Sequence, residues 1–165
     1  MKVNVAIPSF GRWDKEIKTL KHLTSFDKDD IYIFVHTDEE KEKYLKLHKE
    51  YKIVVSGANT VIPAARNGIL NYFPKDSFVL MLDDDCKGIR YLVEGKTKLL
   101  TMTPLQIKQF ALSAFSLIQE LGIKLFGINP VSNSFYMDKV KKFSYNNFIS
   151  AAFSGIIVSD LRYDE

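Results

Sequence analysis

Three consecutive aspartates, Asp83, Asp84 and Asp85, follow the apolar run at 78–82 without a spacer. Carboxylates packed that closely repel one another, and raised pKa values or a bound cation relieve the repulsion. Alternate residues of an extended segment point the same way, so Asp83 and Asp85 can share one ion while Asp84 faces elsewhere. Oxygen donors suit Mg²⁺ or Mn²⁺, which take one or two carboxylates and complete their shell with substrate phosphates. The competing reading is a solvated acidic loop, which the direct junction to an apolar strand weakens. Arg66 and Asn67 fall early on a helix that Pro63 opens. An arginine there can pair with a phosphate or a nucleobase edge, and the helix start favours anions. It can equally be an ordinary surface residue, and Arg12 offers the same two readings. His36 could touch a base or ribose, or serve packing or capping. His22 and His48 carry no assigned role. Cys86 reads as a packing residue, because the neighbouring carboxylates raise its pKa and disfavour the thiolate.

These residues need a frame that brings them together, and the chain alternates strand and helix patterns. Apolar runs predict strands at 3–7, 31–36, 53–55 and 78–82, the last apolar enough for burial on both faces. Between them, helical spacing of Ile17, Leu20, Leu23 and Thr24 predicts a helix within 13–26. Thr37 with Glu40 three residues on predicts a capped helix over 38–50, with Tyr44, Leu45 and Leu47 inward. Its acidic start and lysine-rich end suit the helix dipole. Residues 56–59 read as a loop, and 64–72 continue the helix of Pro63. The second half predicts a strand at 99–102, then a helix capped by Thr103 with Pro104 first and Gly122 past its end. Leu105, Ile107, Phe110, Ala114, Phe115, Ile118 and Leu121 should form its inner side. Further strands are expected at 124–128 and within 148–158. The pattern is that of an α/β domain with a mainly parallel sheet.

In such sheets ligands sit beyond the carboxyl ends of the strands. Pro8, Ser9 and Arg12 follow the first, His36, Thr37 and Asp38 the second, Ser56, Gly57 and Asn59 the third, and the acid triplet the fourth. Convergence of these groups on one rim would serve a phosphorylated ligand with a divalent metal.

The 165 residues correspond to one domain. Hydrophobic residues at 46% and charged residues at 26% exclude disordered and collagen-like classes. With 23 Lys+Arg against 20 Asp+Glu, the net charge of +3 is too mild to predict nucleic-acid binding by itself. A single cysteine excludes a disulfide framework or multi-cysteine zinc site. No run is long enough to span a bilayer, and Asn4 and Pro8 interrupt the first apolar run, so it reads as a strand and not a signal peptide. A reducing cytoplasm is the expected compartment.

Four segments together resemble the nucleotide-sugar glycosyltransferases of the GT-A fold: VAIPSFGR at 5–12, IYIFVHTDEE at 31–40, IPAARNGIL at 62–70 and VLMLDDDCKGI at 79–89. The last resembles that family's DxD motif, and AARN resembles the segment that places an Arg-Asn pair on the nucleotide. More narrowly, the chain resembles the small phage-type TET-associated glycosyltransferases, thought to glycosylate hydroxymethylated pyrimidines in DNA. The resemblance implies one three-layer, Rossmann-like GT-A domain over 1–165. Residues 1–90 would be its nucleotide-binding half and 91–165 its acceptor half.

It further implies metal-dependent sugar transfer from a nucleoside diphosphate, most readily a UDP-sugar, to an acceptor hydroxyl. Asp83 and Asp85 would hold Mn²⁺ or Mg²⁺. Pro8, Ser9, Arg12, His36, Asp38, Arg66, Asn67, Asp83 and Asp84 would hold the donor. Asp160, Asp164 and Glu165, after the last strand, are the candidate bases for an inverting reaction. The family continues with a further acidic motif and helix where this sequence stops. Asp164 or Glu165 substitutes, a partner supplies the rest, or the form is minimal or truncated.

Other classes fit less well. Haloacid-dehalogenase-type phosphatases carry Asp-x-Asp after the first strand, not the fourth. Nucleotidyltransferases want a glycine-rich basic loop where this chain has IPSFGR. A non-catalytic nucleotide-sugar-binding or DNA-associated module is the remaining alternative. Lys139 to Lys142 with Phe143 and Tyr145 could contact phosphates and stack on bases, or form a solvated lysine-rich turn.

Overall fold

The first apolar run forms β1 (Val3–Pro8) in a computed structural model that describes residues 1–57, 61–93, 97–131, 133–137, 143–145, 149–150 and 152–164. The next elements are β2 (Ile31–Val35), α1 (Asp38–His48), β3 (Lys52–Val55), α2 (Ile62–Tyr72) and β4 (Phe78–Leu82). Then come β5 (Arg90–Leu92), β6 (Leu99–Thr101), α3 (Pro104–Glu120), β7 (Leu125–Gly127) and β8 (Phe153–Ile157).

The main sheet has the order β3-β2-β1-β4-β8-β7. β1, β2, β3 and β4 are mutually parallel, so their carboxyl ends share one edge. β8 runs antiparallel to β4, with Leu82 opposite Phe153 and Phe78 opposite Ile157. β7 is antiparallel to β8 and so points the same way as β4. The start of β8 and the end of β7 therefore join the carboxyl edge of the parallel strands. The mostly parallel α/β fold expected from the sequence is Rossmann-like in its central sheet.

The period of two along each strand sorts side chains into two faces. Val3, Val5, Ile7, Ile31, Ile33, Val35, Leu80 and Leu82 pack with Tyr44 of α1 and Ile107, Ala111, Phe115 and Ile118 of α3. Ala6, Tyr32, Phe34, Val79 and Met81 pack with Ile69 and Leu70 of α2 and with Phe73. Burying a side chain such as Leu80 or Phe115 stabilises by about 1.5–3 kcal/mol. The result is three layers: α1 and α3, the sheet, and α2.

Several expectations change. Residues 13–26 are not an α-helix. Ile17, Leu20, Leu23 and Phe26 recur every three residues, the 3₁₀ period. Successive N–H groups bond accordingly: Leu20 to the Ile17 carbonyl, Leu23 to that of Leu20 and Phe26 to that of Leu23. The regular turn is confined to Lys18–His22, and Thr24 is exposed. On α1, Leu45 and Leu47 are exposed, because Glu40, Tyr44 and His48 at spacing four take the inner face. On α3, Leu105 and Leu121 are exposed and Ala111 lies inward. Its Thr103 cap is a complete capping box with Gln106. Residues 99–102 yield β6, which pairs with the unanticipated β5 in a separate hairpin. The strand within 148–158 is β8, and residues 146–148 lie outside the described residues.

Candidate active site

The chain leaves β1 through Ser9, Phe10 and Gly11, and Gly11 adopts a φ of 63° that favours glycine. Two side chains of α1 shape this exit. The Glu40 carboxylate accepts N–H bonds from Gly11 (2.9 Å) and from His36 (3.0 Å), tying the ends of β1 and β2 together. The Tyr44 hydroxyl accepts the Arg12 N–H at 3.1 Å and lies 2.8 Å from Ser9 Oγ. Ser9 Oγ is also 2.6 Å from Asp84 Oδ2. Its single proton goes to the carboxylate, so Tyr44 donates to Ser9 in turn. Burial pushes the Tyr44 phenol upward in pKa, which keeps that proton in place.

The triplet faces two arginines. Arg66 Nη2 lies 2.8 Å from Asp83 Oδ1, and Arg12 lies 3.3 Å from Asp84 and 3.5 Å from Asp85. Like-charge repulsion among the aspartates is thus relieved in part by guanidinium groups. Asp84 is buried and held by Ser9, while Asp83 is half-exposed and Asp85 exposed. Burial pushes the Asp83 carboxyl up. The Arg66 charge pulls it down, and Asp85 and Asp84 push it up further, for a net rise. The Cys86 thiol is raised as expected, although burial outweighs the neighbouring carboxylates as the cause.

A cleft of about 310 Å³ opens at this edge. Pro8, Ser9, Arg12, His36, Arg66, Asp83, Asp84 and Asp85 all line it, so most of the residues picked from the sequence do converge. Ser56, just past the end of β3, joins them, whereas Asn59 lies outside the described residues. Phe10, edge-on to His36 at 4.6 Å between ring centres, adds an exposed aromatic wall. A second cleft of about 200 Å³ shares Asp83 and Asp85 with the first. Its other walls include Arg90 of β5, Ile128 to Val131 after β7, and Phe153 at the start of β8. The two carboxylates stand at the junction of the clefts.

Arg66 is only 5% exposed, and its Nε and Nη1 have no hydrogen-bond partner among the described residues. The ring of Tyr163 lies 5.7 Å from its guanidinium carbon. Asn67, next to it on α2, lines neither cleft. Its side-chain amide is bonded twice to the Tyr163 backbone, at 2.9 and 2.8 Å. Asp38 is exposed at the first turn of α1 and lines neither cleft.

Strand direction takes Asp160 away from the site. β8 is antiparallel, so the chain leaving it emerges beside the beginning of β4. Val158 bonds there to the backbone of Ser77 and Asp76. Asp160 is therefore at the opposite end of the sheet from the triplet. Asp164 is exposed beyond Tyr163 and lines neither cleft, and Glu165 lies outside the described residues. Residues 139–142 are also outside them, while Phe143 and Tyr145 are exposed. Among the described residues no group of three or more His, Cys, Asp or Glu is arranged to hold a metal. None of the described helices is long and apolar enough to cross a membrane.

Sequence reasoning missed the buried supports of the site. Glu40 was visible only as half of a capping signature, and Tyr44 only as an apolar contact. Thr19, wholly buried, carried no signal because its neighbours read as a helix.

Fold and cleft together define a Rossmann-like α/β protein whose candidate site lies at the carboxyl edge of the sheet. The model of the TET-Associated Glycosyltransferase family matches residues 3–151, and the chain belongs to that family. It is thus a member of a glycosyltransferase family. No curated protein matches the chain.

Proposed function

We propose that the chain transfers a sugar from a nucleoside-diphosphate donor, a UDP-sugar first among the candidates, to an acceptor hydroxyl. Arg66 carries this reading. Two of its guanidinium nitrogens are buried at a cleft wall without partners among the described residues, and a buried unpaired donor costs about 1–3 kcal/mol. Arg66 lines the cleft, so an anionic diphosphate bound there would offer this guanidinium charge-assisted bonds.

The residues also fit a divalent cation carried in with the donor. Asp83 and Asp85 would hold it: each faces a guanidinium but keeps its side chain partly open to solvent, whereas Asp84 is buried and bound by both Ser9 and Arg12. Two carboxylates plus donor phosphates match the coordination habit of Mg²⁺ or Mn²⁺, which needs no all-protein cage. Such an ion, when bound, supplies Lewis-acid stabilisation of the diphosphate leaving group.

Arg66 and Arg12 orient the diphosphate by charge-assisted bonds. Phe10 and His36 offer the donor base an aromatic wall. The acceptor hydroxyl enters through the second cleft and meets the sugar beside Asp83 and Asp85. A carboxylate base takes its proton if the anomeric centre inverts; the sequence candidate Asp164 lines neither cleft and would have to be brought to the acceptor. Following the resemblance, the acceptor is a hydroxymethylated pyrimidine in DNA.

Calorimetric titration with UDP-glucose, with MnCl₂ and then with excess EDTA, tests the donor site. Binding should need manganese and should vanish in Asp85→Ala. Undiminished affinity in EDTA would overturn the metal-dependent reading. Transfer of radiolabelled sugar to DNA containing 5-hydroxymethylcytosine, against small-molecule acceptors, tests the acceptor.

A further inference from the structure

The backbone of the acid triplet is anchored largely by one residue, Thr19. Thr19 lies in the 3₁₀ turn Lys18–His22 and is fully buried. Its hydroxyl donates to the Asp83 carbonyl and accepts the Cys86 N–H at 3.0 Å. Its own N–H bonds the Asp84 carbonyl at 3.3 Å. Three bonds to residues 83, 84 and 86 thus come from one residue, and they bracket the turn carrying the carboxylates. A further backbone bond runs from the Asp83 N–H to Ala152, at the start of β8, at 3.2 Å.

The turn is itself held firmly. Ile17 and Leu23 flank Thr19 and are almost wholly buried in the core of the α1 and α3 face. Above it, Gly88 takes a φ of 147°, and a Cβ there would stand 3.6 Å from the ring of His22. A threonine suits this place because one Oγ1 can donate and accept at once while its methyl fills apolar space. Serine keeps the hydroxyl and valine keeps the shape.

We propose that Thr19 is a positioning residue. Through the backbone of Asp83, Asp84 and Cys86, it sets the spacing and direction of the Asp83 and Asp85 carboxylates for a cation and its diphosphate. This rests on the donor-site reading above, since the consequence of misplacement is read at that site. A first contact misplaced by a fraction of an ångström weakens a site out of proportion to the bond removed.

The test compares wild type, Thr19→Val and Thr19→Ser, with two readouts. The first is amide hydrogen exchange of Cys86 and Asp83 in protein without ligand, normalised to Val5 in the centre of β1. The second is the half-saturating MnCl₂ concentration for UDP-glucose binding. Thr19→Val should speed exchange at Cys86 selectively and raise the manganese requirement by roughly tenfold or more, through misplacement of the carboxylates. Thr19→Ser should restore both. A folded Thr19→Val with unchanged Cys86 exchange and an unchanged manganese requirement overturns the proposal. A uniform rise in exchange that Val5 shares also overturns it, since that reports general destabilisation. If Thr19→Val does not fold, Thr19→Cys, a close isostere with a weak donor, takes its place with the same outcomes. Wild-type protein that binds no UDP-glucose at any manganese concentration overturns the donor-site reading instead, and the exchange result then decides the role of Thr19 alone.

Discussion

Replacing Arg66 with methionine separates two effects, because Arg66 pairs with Asp83 and also lines the cleft. Breaking a buried ion pair from one side costs about 3–5 kcal/mol, and an exposed pair about 1 kcal/mol or less. Arg66 is buried, but the Asp83 side chain is 41% exposed and can recover water. The expected loss of stability is therefore about 1–3 kcal/mol. The loss should depend on pH, with a sign that burial sets. Asp83 already holds its proton more tightly in the folded protein, and removing Arg66 takes away the main influence opposing burial. The folded state then binds more protons than the unfolded one above the ordinary aspartate range, so stability falls as pH rises through that window. Arg66→Met should be more destabilised at pH 7.5 than at pH 5.

The donor should suffer separately. Losing even one charge-assisted bond from Nε or Nη1 removes about 1.5–3 kcal/mol, roughly a 10- to 150-fold loss in UDP affinity with MnCl₂. Arg66→Lys keeps a charge for Asp83 but not the planar fork that reaches both partners. It should recover more stability than affinity. Urea unfolding at the two pH values and calorimetry with UDP give both numbers. A folded Arg66→Met that binds UDP within about twofold of wild type would refute the assignment of those nitrogens to the donor.

The same geometry yields other expectations. The buried His48 on α1 has its pKa lowered, chiefly by burial, so the fold favours its neutral ring. Its contribution is intact above the ordinary histidine value and is lost as pH falls below it; His48→Phe should flatten the drop in urea midpoint between pH 7.5 and 5. Tyr44→Phe leaves the Arg12 N–H without its acceptor and should cost about 1–3 kcal/mol in chemical denaturation, together with weaker donor binding. Asp160→Asn, exposed at the far end of the sheet, should leave donor binding and turnover unchanged and stability within about 0.5 kcal/mol; a large loss of turnover would mean that the tail reaches the site.

Much of the local grammar was readable without coordinates, the 13–26 segment excepted. β4 matches its apolar run residue for residue, and Thr37, Thr103 and Pro104 mark the helix starts they predict. Each of these depends on near neighbours: a run of apolar side chains, a hydroxyl three residues from an N–H, a ring that fixes φ. The acid triplet was legible as a charge cluster for the same reason, since like-charge repulsion acts within three residues; its directions were not, because residues 84 and 85 form a turn where the sequence suggested extended chain, and Arg12 meets both Asp84 and Asp85. The features that could not be read depend on contacts across long stretches of chain. Asn67 is committed to Tyr163, 96 residues away, and Thr19 to Asp83, 64 residues away. The insertion of β8 between β4 and β7 reverses its direction and removes Asp160 from the rim. Spacing identifies which groups a strand or helix can present. Strand order and direction decide which of them meet, because those come from packing two faces of one sheet against helices distant in sequence.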